Sequence, residues 1–263
     1  MRADAAALSP EGLITIGDAE LHYRWIGPGP EDAPTIVLLH EGLGAVTTWR
    51  DFPDRLAEAT GHGVFVYSRQ GYGKSSPCAL PRPLDYMTRE AVEVVPPLLD
   101  AIGFRRGVLL GHSDGGSIAS VYCGRFDDTR VEKLILLAPH FFNEDCCVTS
   151  IAEINRIYGD GLREKLKRHH GDNVDCAFRG WADSWLHPDF LNWNIEADLA
   201  GVSVPTLVVQ GKDDEYGTLA QIEAVRRHVS APVTVAHLDD CGHSPFRDRS
   251  NATLDAIFSF LQS

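Results

Sequence analysis

The chain has 263 residues, 44% of them hydrophobic and 23% charged, an ordinary balance for a folded globular protein that sets aside disordered and collagen-like readings. Its formal net charge of −13, from 37 acidic against 24 basic residues, is opposite in sign to the basic face that a nucleic-acid footprint requires. Six cysteines lie scattered without C-x-x-C spacing in a chain too long to need a disulfide framework, so free thiols are expected.

The first ten residues carry Asp4 and no apolar core of a secretory signal. No apolar stretch reaches bilayer length. These observations predict a cytoplasmic protein with neither a membrane nor a nucleic-acid partner. Cys146-Cys147 and His169-His170 lack metal-ligand spacing, and no metal is expected.

Apolar and polar residues alternate over 11–18 and 20–27 around a Gly-Asp-Ala turn, which predicts an antiparallel hairpin. Glycines and prolines at 27–30 break the chain before the apolar run 35–40, suited to a strand buried on both faces. Strand and helix signals then alternate: helix 49–60, strand 63–68, helix 88–102, strand 107–111, helix 117–126 and strand 131–138. A mostly parallel sheet covered by helices on both sides follows from that rhythm.

At Pro139-His140 the alternation stops. Helical segments at 148–158, 161–170 and 174–187 succeed one another without a strand. Residues 141–204 are therefore expected to form an inserted helical cap, with 1–140 and 205–263 as the interrupted sheet domain. Residues 178–193 hold three of the five tryptophans. Such a density of aromatics either packs a cap onto its domain or lines a substrate pocket. Trp181, Trp185, Phe141 and Tyr216 are the candidates for lining. The rhythm resumes with strand 206–211, helix 218–229, strand 232–238 and helix 252–261.

The chemistry centres on Gly111-His112-Ser113-Asp114-Gly115-Gly116, where a buried strand runs straight into Gly-x-Ser-x-Gly. A sharp strand-to-helix turn needs small residues at 111 and 115 because the serine's flanks press together, and it lifts the Ser113 hydroxyl clear of the backbone. A serine hydroxyl is a weak nucleophile. It requires a neighbouring base, and the base requires a third group to fix its tautomer. Loops after later strands should supply both, acid before histidine. Asp214 follows strand 206–211, flanked by Asp213 and Glu215 as rivals, and His243 follows the strand that ends near Leu238.

These motifs, with His40-Glu41-Gly42-Leu43-Gly44, Arg69-Gln70-Gly71-Tyr72-Gly73-Lys74-Ser75, Gly211-Lys-Asp-Asp214 and Gly242-His243, resemble the α/β-hydrolase superfamily across essentially the whole chain. The resemblance implies an eight-stranded sheet, with Ser113 as nucleophile, His243 as general base and acid, and Asp214 as the orienting carboxylate. Asp214 is preferred over Asp213 because it lies three residues after the strand-ending glycine. An oxyanion hole would combine the amide of Asp114 with that of Gly42 or, less readily, Leu43.

Glu41 stands where the commoner pattern has glycine. A carboxylate facing the developing oxyanion would oppose catalysis, so Glu41 is expected to turn away and pair with Arg69. His40 and His112 are expected to be structural. The 71–75 loop lacks the spacing of a phosphate loop.

A serine at the nucleophile position sets aside the dehalogenases and epoxide hydrolases of the superfamily, which attack with a carboxylate. Proline iminopeptidases differ in oxyanion loop and nucleophile context. The expected function is a serine hydrolase cleaving a carboxylic ester, thioester or lactone of a small to medium, largely apolar substrate through an acyl-enzyme, without cofactor. A carbon-carbon bond hydrolase of aromatic catabolism and a triad-bearing small-molecule receptor are the alternatives.

Overall fold

The computed structural model describes residues 9–263, so most of the N-terminal segment read for a signal lies outside the described residues. Eight strands form one sheet: β1 (Glu11–Ile16), β2 (Ala19–Ile26), β3 (Thr35–Leu39), β4 (Gly63–Tyr67), β5 (Gly107–His112), β6 (Val131–Leu137), β7 (Thr206–Gly211) and β8 (Val233–Leu238). Their order is β1-β2-β4-β3-β5-β6-β7-β8. The β1–β2 and β2–β4 pairs are antiparallel and the rest parallel.

Helices α1 (Phe52–Thr60), α2 (Tyr86–Arg89), α3 (Val95–Ala101) and α4 (Asp114–Arg125) connect the first six strands. A π-helical turn, Glu90–Val94, joins α2 to α3. Between β6 and β7 lie α5 (Asp145–Arg156), α6 (Arg163–His170), α7 (Val174–Trp185) and α8 (Glu196–Leu199), with no strand among them. Helices α9 (Leu219–His228), α10 (Pro245–Asp248) and α11 (Ser250–Gln262) complete the chain. None of the helices described is long and apolar enough to cross a membrane.

Strand periodicity sorts the core into two layers. Ile36, Leu38, Val64, Val66, Val108 and Leu110 pack with Trp49, Phe52, Leu56 and Ile257 on one face. Val37, Leu39, Phe65, Tyr67 and Leu109 pack with Leu98, Ile118 and Val121 on the other. Both faces are covered, which is why these central strands read as continuous apolar runs.

Two local departures have clear causes. The helix expected over 49–60 is split, because Arg50 takes φ 55° and Pro53 restarts a helix from its first turn. Helix α4 starts at Asp114 and not after Gly116, because the reversal is completed at Ser113 itself, with φ 52° and ψ −119°.

Parallel pairing then brings loops together. Leu39 of β3 is opposite Gly111 of β5, so the 40–44 loop emerges beside Ser113. Gly211 of β7 is opposite Leu238 of β8, which sets the loops carrying Asp214 and His243 side by side at the same sheet edge.

Candidate active site

Ser113 sits at the N-terminus of α4 in a backbone conformation that costs a non-glycine residue about 1–3 kcal/mol. The surroundings hold it there. A Cβ on Gly111 would come within 2.1 Å of the Gly115 carbonyl oxygen, and one on Gly115 within 2.0 Å of that of Leu39. Only hydrogen at both positions lets the turn close against β3 and α4.

Three side chains converge from three loops. Ser113 Oγ lies 2.9 Å from His243 Nε2, and His243 Nδ1 lies 2.8 Å from Asp214 Oδ1. The same Asp214 oxygen accepts from the amides of Tyr216 at 2.9 Å and Gly217 at 3.2 Å, so the carboxylate is fixed before it meets the ring. Burial opposes charge on both partners, yet their mutual attraction prevails. It lowers the Asp214 pKa and raises that of His243. Of the rivals to Asp214, Glu215 instead accepts from the His243 amide at 3.3 Å.

The 40–44 loop is held through one carbonyl. The Glu41 oxygen accepts from His40 Nδ1 at 2.7 Å, Arg69 Nη2 at 3.0 Å and the Gly44 amide at 3.0 Å. Across a trans peptide the N–H points opposite to the C=O, so these donors fix the direction of the Gly42 amide. His170 of α6 donates from Nε2 to the Leu43 carbonyl at 3.1 Å. Gly42, Leu43 and Asp114 all border the cavity beside Ser113.

Arg69 does not pair with the Glu41 carboxylate. Its guanidinium is fully buried and spends its donors on the carbonyls of His40 and Glu41, with the Asp114 carboxylate 3.7 Å away. The Glu41 carboxylate instead faces His112 Nδ1 at 3.4 Å. Burial works against its charge, but His112 outweighs it and brings the Glu41 pKa to about 2. His112 Nε2 in turn donates to the His243 carbonyl at 2.8 Å, tying the loop of His243 to the turn at Ser113. His40 bonds only backbone, at Glu41 and Arg69.

A cavity of about 380 Å³ opens over Ser113. Trp181, Trp185 and Tyr216 line it. Phe141 does not. It is fully buried, and its amide is fixed to Gln221 Oε1 at 2.7 Å because the chain turns there from the sheet into the helical segment. Glu41, Glu215, Arg247 and Asp248 also line it, a charged share that the aromatic content of 178–193 gave no hint of. Trp193 packs on Phe190 and Trp185 and stays out of the cavity.

Two further residues had no sequence signal. His140 follows β6, lines the cavity, and stacks 5.3 Å from the His243 ring with Nδ1 unpartnered. Burial, followed by the nearby His243, pushes its pKa down to about 3, so it stays neutral. Tyr86 donates to Asp114 Oδ2 at 2.5 Å and accepts from Trp185 Nε1 at 3.1 Å, linking α7 to the residue after Ser113. Burial, partly offset by Arg69, raises the Asp114 pKa. Among the described residues, no group of three or more His, Cys, Asp or Glu is placed to hold a metal ion.

A sequence model described as the alpha/beta hydrolase family matches residues 36–256. The chain is 31% identical to the proline iminopeptidase of Lactobacillus helveticus (strain DPC 4571), over 95% of this chain and 97% of that one. It is 24% identical to the 2-hydroxy-6-oxononadienedioate/2-hydroxy-6-oxononatrienedioate hydrolase 2 of Pseudomonas putida, over 93% and 92% of the two chains. Among solved structures it is similar to the enol-lactonase from Burkholderia xenovorans LB400, with a TM-score of 0.77 and 21% identity, covering 96% of this chain and 100% of the other.

Proposed function

The chain belongs to the alpha/beta hydrolase family, and from that premise we propose that it is a serine hydrolase cleaving a carboxylic ester, thioester or lactone. The observation that carries this reading is the unbroken hydrogen-bonded line from Ser113 through His243 to Asp214, at 2.9 and 2.8 Å, opening onto the cavity. His243 Nε2 takes the proton as Ser113 Oγ attacks the carbonyl carbon. Asp214 holds the other ring nitrogen and stabilises the imidazolium. The amides of Asp114 and Gly42, with Leu43 as the less direct candidate, receive the oxyanion. The imidazolium protonates the leaving group, and water activated by the same ring then hydrolyses the acyl-enzyme.

The substrate we propose is a small molecule of small to medium size, since the cavity holds about 380 Å³. An apolar group suits the wall of Trp181, Trp185 and Tyr216, and the helical segment 141–204 serves as the cap bringing the two tryptophans over the site. Glu41, Glu215 and Asp248 in the same lining favour a polar or cationic group elsewhere on the substrate.

A second reading has its own support. Glu41 is ionised and borders the same cavity as Glu215, which suits a free amine, and the relatives include a proline iminopeptidase. Amide cleavage next to an amino group is therefore the alternative we carry forward.

The test is one panel run with wild type and Ser113→Ala: p-nitrophenyl esters of graded chain length, lactones, a ring-fission dienoate and a prolyl p-nitroanilide. Ester or lactone turnover with an acyl-enzyme burst is expected. Preference for the anilide would move the assignment to the amine reading, and full activity in the alanine variant would end the mechanism.

A further inference from the structure

Cys78 and Cys176 are 98 residues apart in sequence, yet their sulfurs lie 2.9 Å from each other as free thiols. One belongs to the loop between β4 and α2, the other to the second position after the start of α7. The pair thus spans the junction between the sheet domain and the helical insertion.

The site around them is built. A Cβ on Gly71 would meet Arg82 Nη2 at 2.5 Å, Cys78 Sγ at 2.6 Å and Cys176 Sγ at 2.9 Å, so three side chains converge on a residue that has none. Arg82 is held there by Gln70, whose carbonyl accepts from Nη2 at 2.9 Å, and by the ring of Tyr72, 4.6 Å from the guanidinium carbon. A guanidinium beside two thiols favours a thiolate over a thiol. Both cysteines are half-buried, and Cys78 borders a separate cavity of about 250 Å³ by which a small oxidant reaches the pair.

We infer that Cys78 and Cys176 form a peroxide-responsive modification site, closing to a reversible disulfide that staples α7 to the sheet domain. Cys176 is the attacking sulfur. The Cys78 thiol donating to it lowers its pKa, with Arg82 adding to the effect. Its thiolate attacks one oxygen of hydrogen peroxide, the O–O bond breaks, hydroxide leaves, and Cys176 becomes a sulfenic acid. The Cys78 thiol then attacks that sulfur and water departs. In total one thiolate, one thiol and one peroxide give one disulfide, one water and one hydroxide. The two sulfurs supply the two electrons. Closing from 2.9 Å to a bond of about 2.05 Å needs less than an ångström of movement.

The other cysteines lack this arrangement. Cys123, Cys147 and Cys241 are buried, and burial pushes each thiol pKa up. The staple would act near the candidate active site, since α7 also carries Gly180, packed on Arg82, and Trp181 and Trp185 of the cavity wall.

The test uses the full chain treated with a modest excess of hydrogen peroxide. Thiol titration in denaturant is expected to fall from six to four, and peptide mapping to find Cys78 joined to Cys176. Dithiothreitol should restore all six thiols. Because the closed loop is long, the melting temperature of the oxidised protein should rise by about 5 °C or more and return on reduction. Cys78→Ser should stop at a sulfenic acid on Cys176 that dimedone traps, whereas Cys176→Ser should leave Cys78 unreacted on the same timescale. Retention of six thiols under peroxide, a cross-link between other cysteines, or no change in melting temperature would each overturn the proposal.

Discussion

Arg69 Nη2 donates to the carbonyl oxygen of Glu41 at 3.0 Å, so a fully buried guanidinium joins His40 and the Gly44 amide in setting the direction of the neighbouring Gly42 amide. Arg69→Met should therefore act on turnover as well as on folding. With the His40 and Glu41 carbonyls and the Asp114 carboxylate left short of a partner, stability should fall by about 3–5 kcal/mol. In the molecules that remain folded, kcat should drop roughly 10–100-fold with KM nearly unchanged, because the donor is misaimed and not removed. Denaturant melts and steady-state kinetics on active-site-titrated protein check both halves.

The His243–Asp214 pair predicts the pH profile. The proposed mechanism needs the neutral imidazole, and Asp214 raises the His243 pKa, so kcat/KM should fall on the acid side with a midpoint above about 6.5. Asp214→Asn should cut kcat by about 10⁴-fold and move the acid limb of the residual activity to lower pH. The two stability contributions change with pH in opposite directions. That of His243 is full below about pH 6.5 and is lost as pH rises through its raised value. That of Asp214 is full above about pH 4 and is lost as pH falls through its lowered one.

Glu41→Gln separates folding from chemistry. The Glu41 carboxylate is ionised with a pKa near 2, so its stabilisation is present above about pH 4.5 and disappears as pH falls toward 2. At pH 7 the variant should lose about 1–3 kcal/mol, and the gap from wild type should close in acid melts. Ester turnover per folded molecule should change by less than about threefold, because the proposed oxyanion donors are backbone amides and that of Gly42 is aimed by the Glu41 carbonyl, not by its carboxylate. A larger loss confined to amine-bearing substrates would favour the peptidase reading.

Gly42→Ala tests how closely the insertion rests on the oxyanion loop. A Cβ there would lie 2.2 Å from the indole of Trp181, so either the ring or the loop must move. A displacement of about 1 Å at reacting groups can cost on the order of 100-fold. That loss is expected in kcat/KM, and Trp181→Ala in the same chain should recover part of it. Equal losses in the single and double variants would show that the indole is not what the methyl group displaces.

Much of this molecule was legible because its signals are local. The strands are short apolar runs bounded by glycine and proline, and the order Ser113, Asp214, His243 follows from which strand ends at which loop. The convergence of those three side chains needed only the parallel register that the alternating elements imply. The sequence by itself thus determined the sheet, and with it which loops at its edge carry Ser113, Asp214 and His243.

Only the tertiary structure decided where long or distant side chains spend their bonds. Arg69 has several acceptors within reach, and burial chose the carbonyls of His40 and Glu41 over the Glu41 carboxylate, leaving that group to His112. Phe141, Trp181 and Trp185 are alike in composition, but the direction of each depends on how the insertion lies across the sheet edge. The meeting of Cys78 with Cys176 is of the same kind, since no spacing along the chain encodes a contact made by two separate elements docking.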